Sequence, residues 1–182
     1  MSGMRDEKHV SLDIEACGEI VLSIGACEFD PHTGAALNRF YCVPSIADQL
    51  AKGLKPDAGA LVWFLKQSPE ARLAVADVQA PAEVELSQFC AWYARRDDAW
   101  CWAYPTSFDL PVIERACRAF GIRPPWKWTK TMDGRTLWRL ACERNPDAEK
   151  IEKSANAAPH HALEDAVEQA KWYAAYMGCV LP

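Results

Sequence analysis

The chain has 182 residues, half of them apolar and a quarter charged, and a formal charge of −5 at pH 7. That length supports one domain with a proper core and leaves little room for a second, so a single domain over residues 1–182, with its core at about 10–178, is expected. The polar start from Met1 to Lys8 has no apolar signal core, and no apolar run approaches the roughly 20 residues of a membrane span, so a soluble, cytoplasmic protein is expected.

Val10-Ser11-Leu12-Asp13-Ile14-Glu15-Ala16-Cys17 reads as a first strand. Side chains alternate faces along a strand, so Asp13 and Glu15 project from one side, roughly 7 Å apart. Two carboxylates that close repel each other unless a cation lies between them. Oxygen-only ligation favours a hard ion, magnesium or manganese. Ile20 to Phe29 predicts a second strand, entered through Cys17-Gly18-Glu19. Asp30-Pro31-His32-Thr33-Gly34 is turn chemistry, and a third strand follows over about Ala36 to Val43. Three strands joined by short turns make an antiparallel meander.

The chain then becomes mainly helical. Asp57 is placed to cap a helix running to Lys66, and Ser68-Pro69-Glu70 starts another. Residues 82–96 have helical periodicity through Val84, Phe89, Trp92 and Tyr93. Ala99 to Ala103 predicts a short Trp-rich strand, and Ser107 to Phe120 a helix closed by Gly121. A helix over about Gly134 to Glu143, a polar loop from Asn145 to Pro159 and a last helix from His161 to Met177 complete the chain. Strands first, then helices with interspersed strands, indicate an α/β domain with a mixed sheet.

The eight cysteines contain no C-x-x-C pair and are not spaced with histidines as zinc ligands, so they read as small buried thiols. Between Arg115 and Arg144, eight Lys or Arg residues face two acids, and Phe120, Trp126, Trp128 and Trp138 lie among them. That pattern suits either single-stranded nucleic acid or an amphipathic helix pair with a solvated basic face. Asp109 sits just past a strand at the head of a helix, where α/β sheets bind ligands and where the helix dipole also favours an acid. Asp165, beside Leu163 and Ala166, needs a cation or an arginine partner.

Taken together, Asp13-Ile14-Glu15, Ser107-Phe108-Asp109-Leu110-Pro111 and His160-His161-Ala162-Leu163-Glu164-Asp165-Ala166 resemble the DEDDh 3′-5′ exonucleases of the ribonuclease H-like fold. Trp63-Phe64-Leu65-Lys66-Gln67-Ser68-Pro69-Glu70-Ala71-Arg72 and Asp133-Gly134-Arg135-Thr136-Leu137 resemble segments of the phage-type exodeoxyribonuclease VIII-like or exoribonuclease-like branch. The resemblance runs from about residue 10 to 178, and five motifs in the same order give it weight that no single one has. It implies a mixed central sheet, with the meander and parallel strands flanked by helices.

The resemblance further implies two divalent cations, Mg2+ or Mn2+, held by Asp13, Glu15, Asp109 and Asp165, with Asp13 bridging them. It implies that neutral His160 takes the proton of the attacking water, and that terminal phosphodiesters of DNA or RNA are cut to nucleoside 5′-monophosphates. The partner implied is a nucleic acid with a 3′ end, single-stranded or overhanging. Helical spacing alone selects His161, which lies four residues before Asp165, whereas the family pattern selects His160. Substrate-contacting candidates are Trp63, Phe64, Phe108, Arg135, Ala16 and Cys17. The last two stand where many relatives have Thr, and Phe64 stands where many have a second Trp. Competing readings are a non-catalytic nucleic-acid-binding accessory module and a small-molecule dinucleotide phosphodiesterase. A homodimer is compatible with the sequence, which does not specify assembly.

Overall fold

The computed structural model describes residues 3–76, 80–153 and 160–181. Five strands, β1 (His9–Cys17), β2 (Ile20–Phe29), β3 (Ala36–Cys42), β4 (Trp100–Ala103) and β5 (Thr131–Asp133), form one sheet in the order β3-β2-β1-β4-β5. The first three pair antiparallel, while β4 runs parallel to β1 and β5 parallel to β4. The helices are α1 (Ile46–Ala51), α2 (Ala58–Leu65), α3 (Pro69–Ala76), α4 (Ala82–Ala94), α5 (Thr106–Ala119), α6 (Gly134–Arg144) and α7 (Ala162–Val180). The expected α/β architecture with a mixed sheet is the one observed.

Alternation along the strands divides the interior into two cores. Val10, Leu12, Ile14, Ile24, Ala26 and Cys101 pack with Leu86 and Phe89 of α4 and Ile113 and Cys117 of α5. On the opposite face, Phe29 and Trp102 pack with Leu137 of α6 and Val167, Tyr173 and Met177 of α7. Each β1 residue that faces α4 and α5 is apolar. The intervening positions, His9, Ser11, Asp13 and Glu15, belong to the other face. Buried polar side chains there need partners. Trp102 Nε1 donates to His9 Nδ1 at 2.8 Å, which leaves the imidazole proton on Nε2, 3.0 Å from the Met4 carbonyl. Burial lowers the His9 pKa to about 4, so the ring stays neutral.

The caps follow the sequence. Asp57 accepts from Ala60 N at the start of α2, and Ser68 accepts from Ala71 N at the start of α3. Gly121 follows α5 with φ 71°, the left-handed conformation glycine adopts without strain. Three features differ from the expectation. The short α1 was not anticipated; its Gln49 is fully buried and bonds both N–H and C=O of Val21. Strand β5 has only three residues, too few to show alternation, and exists because β4 offers it an open edge. Part of the expected 145–159 loop forms a 3-10 helix, Pro146–Lys153, and residues 154–159 of that loop lie outside the described residues. All eight cysteines are free, five of them buried. Among the described residues no helix is long and apolar enough to cross a membrane.

The position of α7 depends on one glycine. Gly25 pairs with Asp13 across β1 and β2, and the start of α7 lies directly on it. A Cβ there would fall 2.1 Å from the backbone of Ala162 and Leu163. Gly25→Ala must therefore push the first turn of α7, and Asp165 with it, away from the sheet. The expected result is a loss of about 3 kcal/mol, a thermal midpoint lower by roughly 6–12 °C, and weakened activity. A calorimetric scan showing an unchanged midpoint would contradict this packing.

Candidate active site

Asp13 and Glu15 project from β1, and Asp165 reaches them from the first turn of α7. Ligand oxygens of the three lie within 4.8 Å of one another. Asp109, in the first turn of α5, is almost fully buried, and its Oδ1 accepts from Ile14 N at 3.3 Å. That hydrogen bond ties α5 to the strand carrying the acidic pair. Asp133, at the end of β5, accepts from both Thr106 N and Thr106 Oγ1 and also caps α6 through Thr136 N. It thereby joins the start of α5, and so Asp109, to α6.

The four acids Asp13, Glu15, Asp109 and Asp165 line a cleft of about 850 Å3, in the range of ligand-binding clefts. Asp13, Glu15, Asp109, Asp165 and His160 all border it, as do Trp63, Phe108, Arg135 and Ala16. Trp63 and Phe108 are each about half exposed, at 48% and 49%. Arg135 stacks its guanidinium over Tyr104, 5.5 Å from the ring centre. His160 adopts φ 65° and packs edge-on against Trp63 with ring centres 5.0 Å apart. His161 does not border the cleft. It stacks on Tyr41 at 4.6 Å, and its carbonyl accepts from Asp165 N.

Two candidates leave the site. Phe64 is 8% exposed in the core beneath α2, because consecutive helical residues point about 100° apart and Trp63 takes the cleft side. Cys17 is also in that core, with its thiol donating to the Asp57 carbonyl at 3.3 Å. Neither side chain is available to a substrate. The basic segment 115–144 is largely committed within the fold. Arg115 pairs with Glu19, Arg118 with Glu114, Lys127 with Asp98, and Lys130 with Glu7. Trp126 is core, as an amphipathic pair requires, whereas Trp128 is 85% exposed, as a stacking surface requires. Tyr104, Gln169 and Trp172 border the cleft without having been singled out in the sequence. For the last two a signal existed: they follow Asp165 by four and seven residues and so share its helical face.

Burial pushes Glu15 up to about 7, assisted by the charges of Asp165 and Asp109. Burial also raises Asp13, with Asp109 and Asp165 adding to the effect while the Gln169 hydrogen bond opposes it. Asp109 is raised by burial against the opposing Ile14 N–H. Such mutually repelling carboxylates suit a hard divalent cation, and the all-oxygen donor set fits magnesium or manganese. The cation-free fold retains the Glu15 proton, which the unfolded chain releases near pH 4.5. The stability linked to that proton is complete below about pH 4 and disappears as pH rises through about 7, a loss on the order of 3 kcal/mol. In a chelator, the thermal midpoint is expected to fall between pH 5 and 8. His9 acts in the opposite direction below 6.5, so the measurement compares Glu15→Gln with wild type. The variant should show a flatter fall, and parallel curves would remove Glu15 as its source.

The model of the Rv2179c-like 3′-5′ exoribonuclease domain matches residues 8–177. No curated protein matches the chain. Among solved structures, an exonuclease I superposes with a TM-score of 0.69 and 14% identity, over 91% of this chain and 40% of that one. The chain thus spans less than half the length of that protein. A full-length 3′-exonuclease superposes with a TM-score of 0.60 and 12% identity, over 95% of this chain and 83% of that one. At such identities the structural likeness is one of fold, the ribonuclease H-like sheet with its flanking helices. The family match covers both strands of the acidic hairpin, the α5 and α7 acids and nearly all of the chain between, so the chain belongs to the Rv2179c-like 3′-5′ exoribonuclease domain family.

Proposed function

We propose that the chain is a single-domain, metal-dependent 3′-5′ exonuclease of the DEDDh type. Its substrate is the 3′ end of a single strand or overhang, and its product is a nucleoside 5′-monophosphate. The observation that carries this reading is the convergence of Asp13, Glu15, Asp109, Asp165 and His160 on one cleft from three separate segments. Asp13, Glu15 and Asp165 would hold one hard divalent cation, and Asp13 with Asp109 a second. When bound, the cations acidify water and neutralise charge at the leaving oxygen.

The chain's own groups supply the rest. His160 at the cleft wall accepts the proton of the attacking water. A phosphorus–oxygen bond forms, the bond to the 3′ oxygen of the penultimate nucleotide breaks, and the terminal nucleotide leaves with its 5′ phosphate. Trp63 and Phe108 offer half-exposed rings on which the terminal bases stack. Arg135, at the border of the cleft, offers its guanidinium to a substrate phosphate. The family's description favours RNA over DNA as substrate.

The test is digestion of matched 5′-labelled RNA and DNA strands with Mg2+ or Mn2+. A ladder shortening by single nucleotides from the 3′ end is expected. Intact strands at every metal concentration, from folded protein, would overturn the proposal. Binding insensitive to chelation without cleavage would indicate an accessory module. Rates falling steeply with length would indicate a dinucleotide phosphodiesterase.

A further inference from the structure

Behind Asp13 lies a buried polar relay that the proposed reaction does not use. Gln169 of α7 is 6% exposed, and its Nε2 donates to Asp13 Oδ1 at 2.7 Å. One turn further along, the Tyr173 hydroxyl donates to Gln169 Oε1 at 2.8 Å. Asp165, Gln169 and Tyr173 are spaced by four, so one face of α7 presents a ligand-type carboxylate, an amide and a phenol in succession.

The direction of this relay is fixed by its far end. Tyr173 is fully buried, stacked on Trp102 with ring centres 5.1 Å apart and tilted against Phe29 at 6.2 Å. Gly134 passes so close that a Cβ there would lie 2.5 Å from the tyrosine ring. Burial pushes the phenol well up, so it remains a hydroxyl and donates. The Gln169 oxygen is thereby occupied, and its amide N–H faces Asp13. With Asp13 ionised by bound cations, a flipped amide would set oxygen against carboxylate and leave the tyrosine hydroxyl proton without its acceptor, a buried loss that a low-dielectric interior makes costly.

We propose that Gln169, oriented by Tyr173, is a positioning residue that fixes the rotation of the Asp13 carboxylate and so presents it to the cations, an inference resting on the exonuclease reading above. The amide uses only Oδ1, and it restrains a side chain that three neighbouring acids would otherwise turn aside. Outer partners of this kind typically change metal affinity 10- to 100-fold.

The experiment titrates Mn2+ calorimetrically into wild type, Gln169→Met, Tyr173→Phe and the double variant, with thermal midpoints measured in chelator. Gln169→Met is expected to weaken Mn2+ binding at least about tenfold. Tyr173→Phe, which keeps the amide but frees it to flip, is expected to weaken it severalfold. A purely structural role is separated by the double variant. Removing both polar partners together restores much of the midpoint lost in Gln169→Met, because no buried hydroxyl is left unpaired. Its Mn2+ affinity should nonetheless stay low. Wild-type affinity in the double variant, or in Gln169→Met, would overturn the positioning role while leaving the nuclease reading intact. Absence of Mn2+ binding by folded wild type would remove the metal-dependent reading and this inference with it.

Discussion

Asp13→Asn is expected to reduce nucleotide release at least a thousandfold, about 4 kcal/mol of transition-state stabilisation, while leaving the fold intact. Asp13 is the one acid placed among all the others: its ionisation is opposed by Asp109, Asp165 and Glu15 together. Asparagine retains an oxygen for the Gln169 amide, so the relay from Tyr173 survives. What it lacks is the charge needed to hold a hard cation. The same substitution relieves carboxylate repulsion, so in chelator the thermal midpoint of the variant should rise above that of wild type. Chromatography of released mononucleotide and calorimetry together check both parts. Turnover at the wild-type rate would remove Asp13 from the metal role.

His160→Ala should cost a factor of about 100 to 10,000 in kcat, the usual contribution of a general base, with Mn2+ affinity little changed. His161→Ala should leave kcat within a few-fold and lower the thermal midpoint instead. The difference follows from where the two rings lie. His160 lines the cleft against Trp63, whereas His161 stacks on Tyr41 away from it. Helical spacing pairs position 161 with Asp165, and the backbone does so, through the 161 carbonyl. The left-handed φ of 65° at His160, a conformation in which His is enriched among non-glycine residues, sets that residue apart from the helix. Greater damage from His161→Ala would show that the assignment is shifted by one residue.

These expectations differ in how far the sequence supports them. The Asp13 and Glu15 face was readable because strand alternation is a local rule, and the apolar partners Leu12 and Ile14 occupy the opposite core as that rule requires. The caps at Asp57 and Ser68 were readable for the same reason, since a cap involves only the next few residues. Phe64 and Cys17 illustrate the limit. Phe64 adjoins a residue that faces the cleft, and Cys17, which strict alternation would set on the face of Asp13 and Glu15, enters the core because the register of β1 shifts between Glu15 and Ala16. Gly25 carried a signal, a glycine within a strand, which marks a bulge or a close backbone approach. It does not say what approaches.

By itself, then, the sequence determined most of the local elements, though not α1, β5 or the 3-10 helix, together with the alternating face that carries the acidic pair and an order of motifs sufficient to suggest the family. The tertiary structure alone decided that α7 rests on Gly25, that Asp109 is tied to Ile14, that Gln169 and Tyr173 stand behind Asp13, and that the basic segment pairs with the fold's own acids. The physical reason is range. Alternation, capping and turn chemistry act over a few residues of backbone, whereas the Gln169–Asp13 contact joins positions 156 residues apart and exists only once two cores have packed on opposite faces of one sheet.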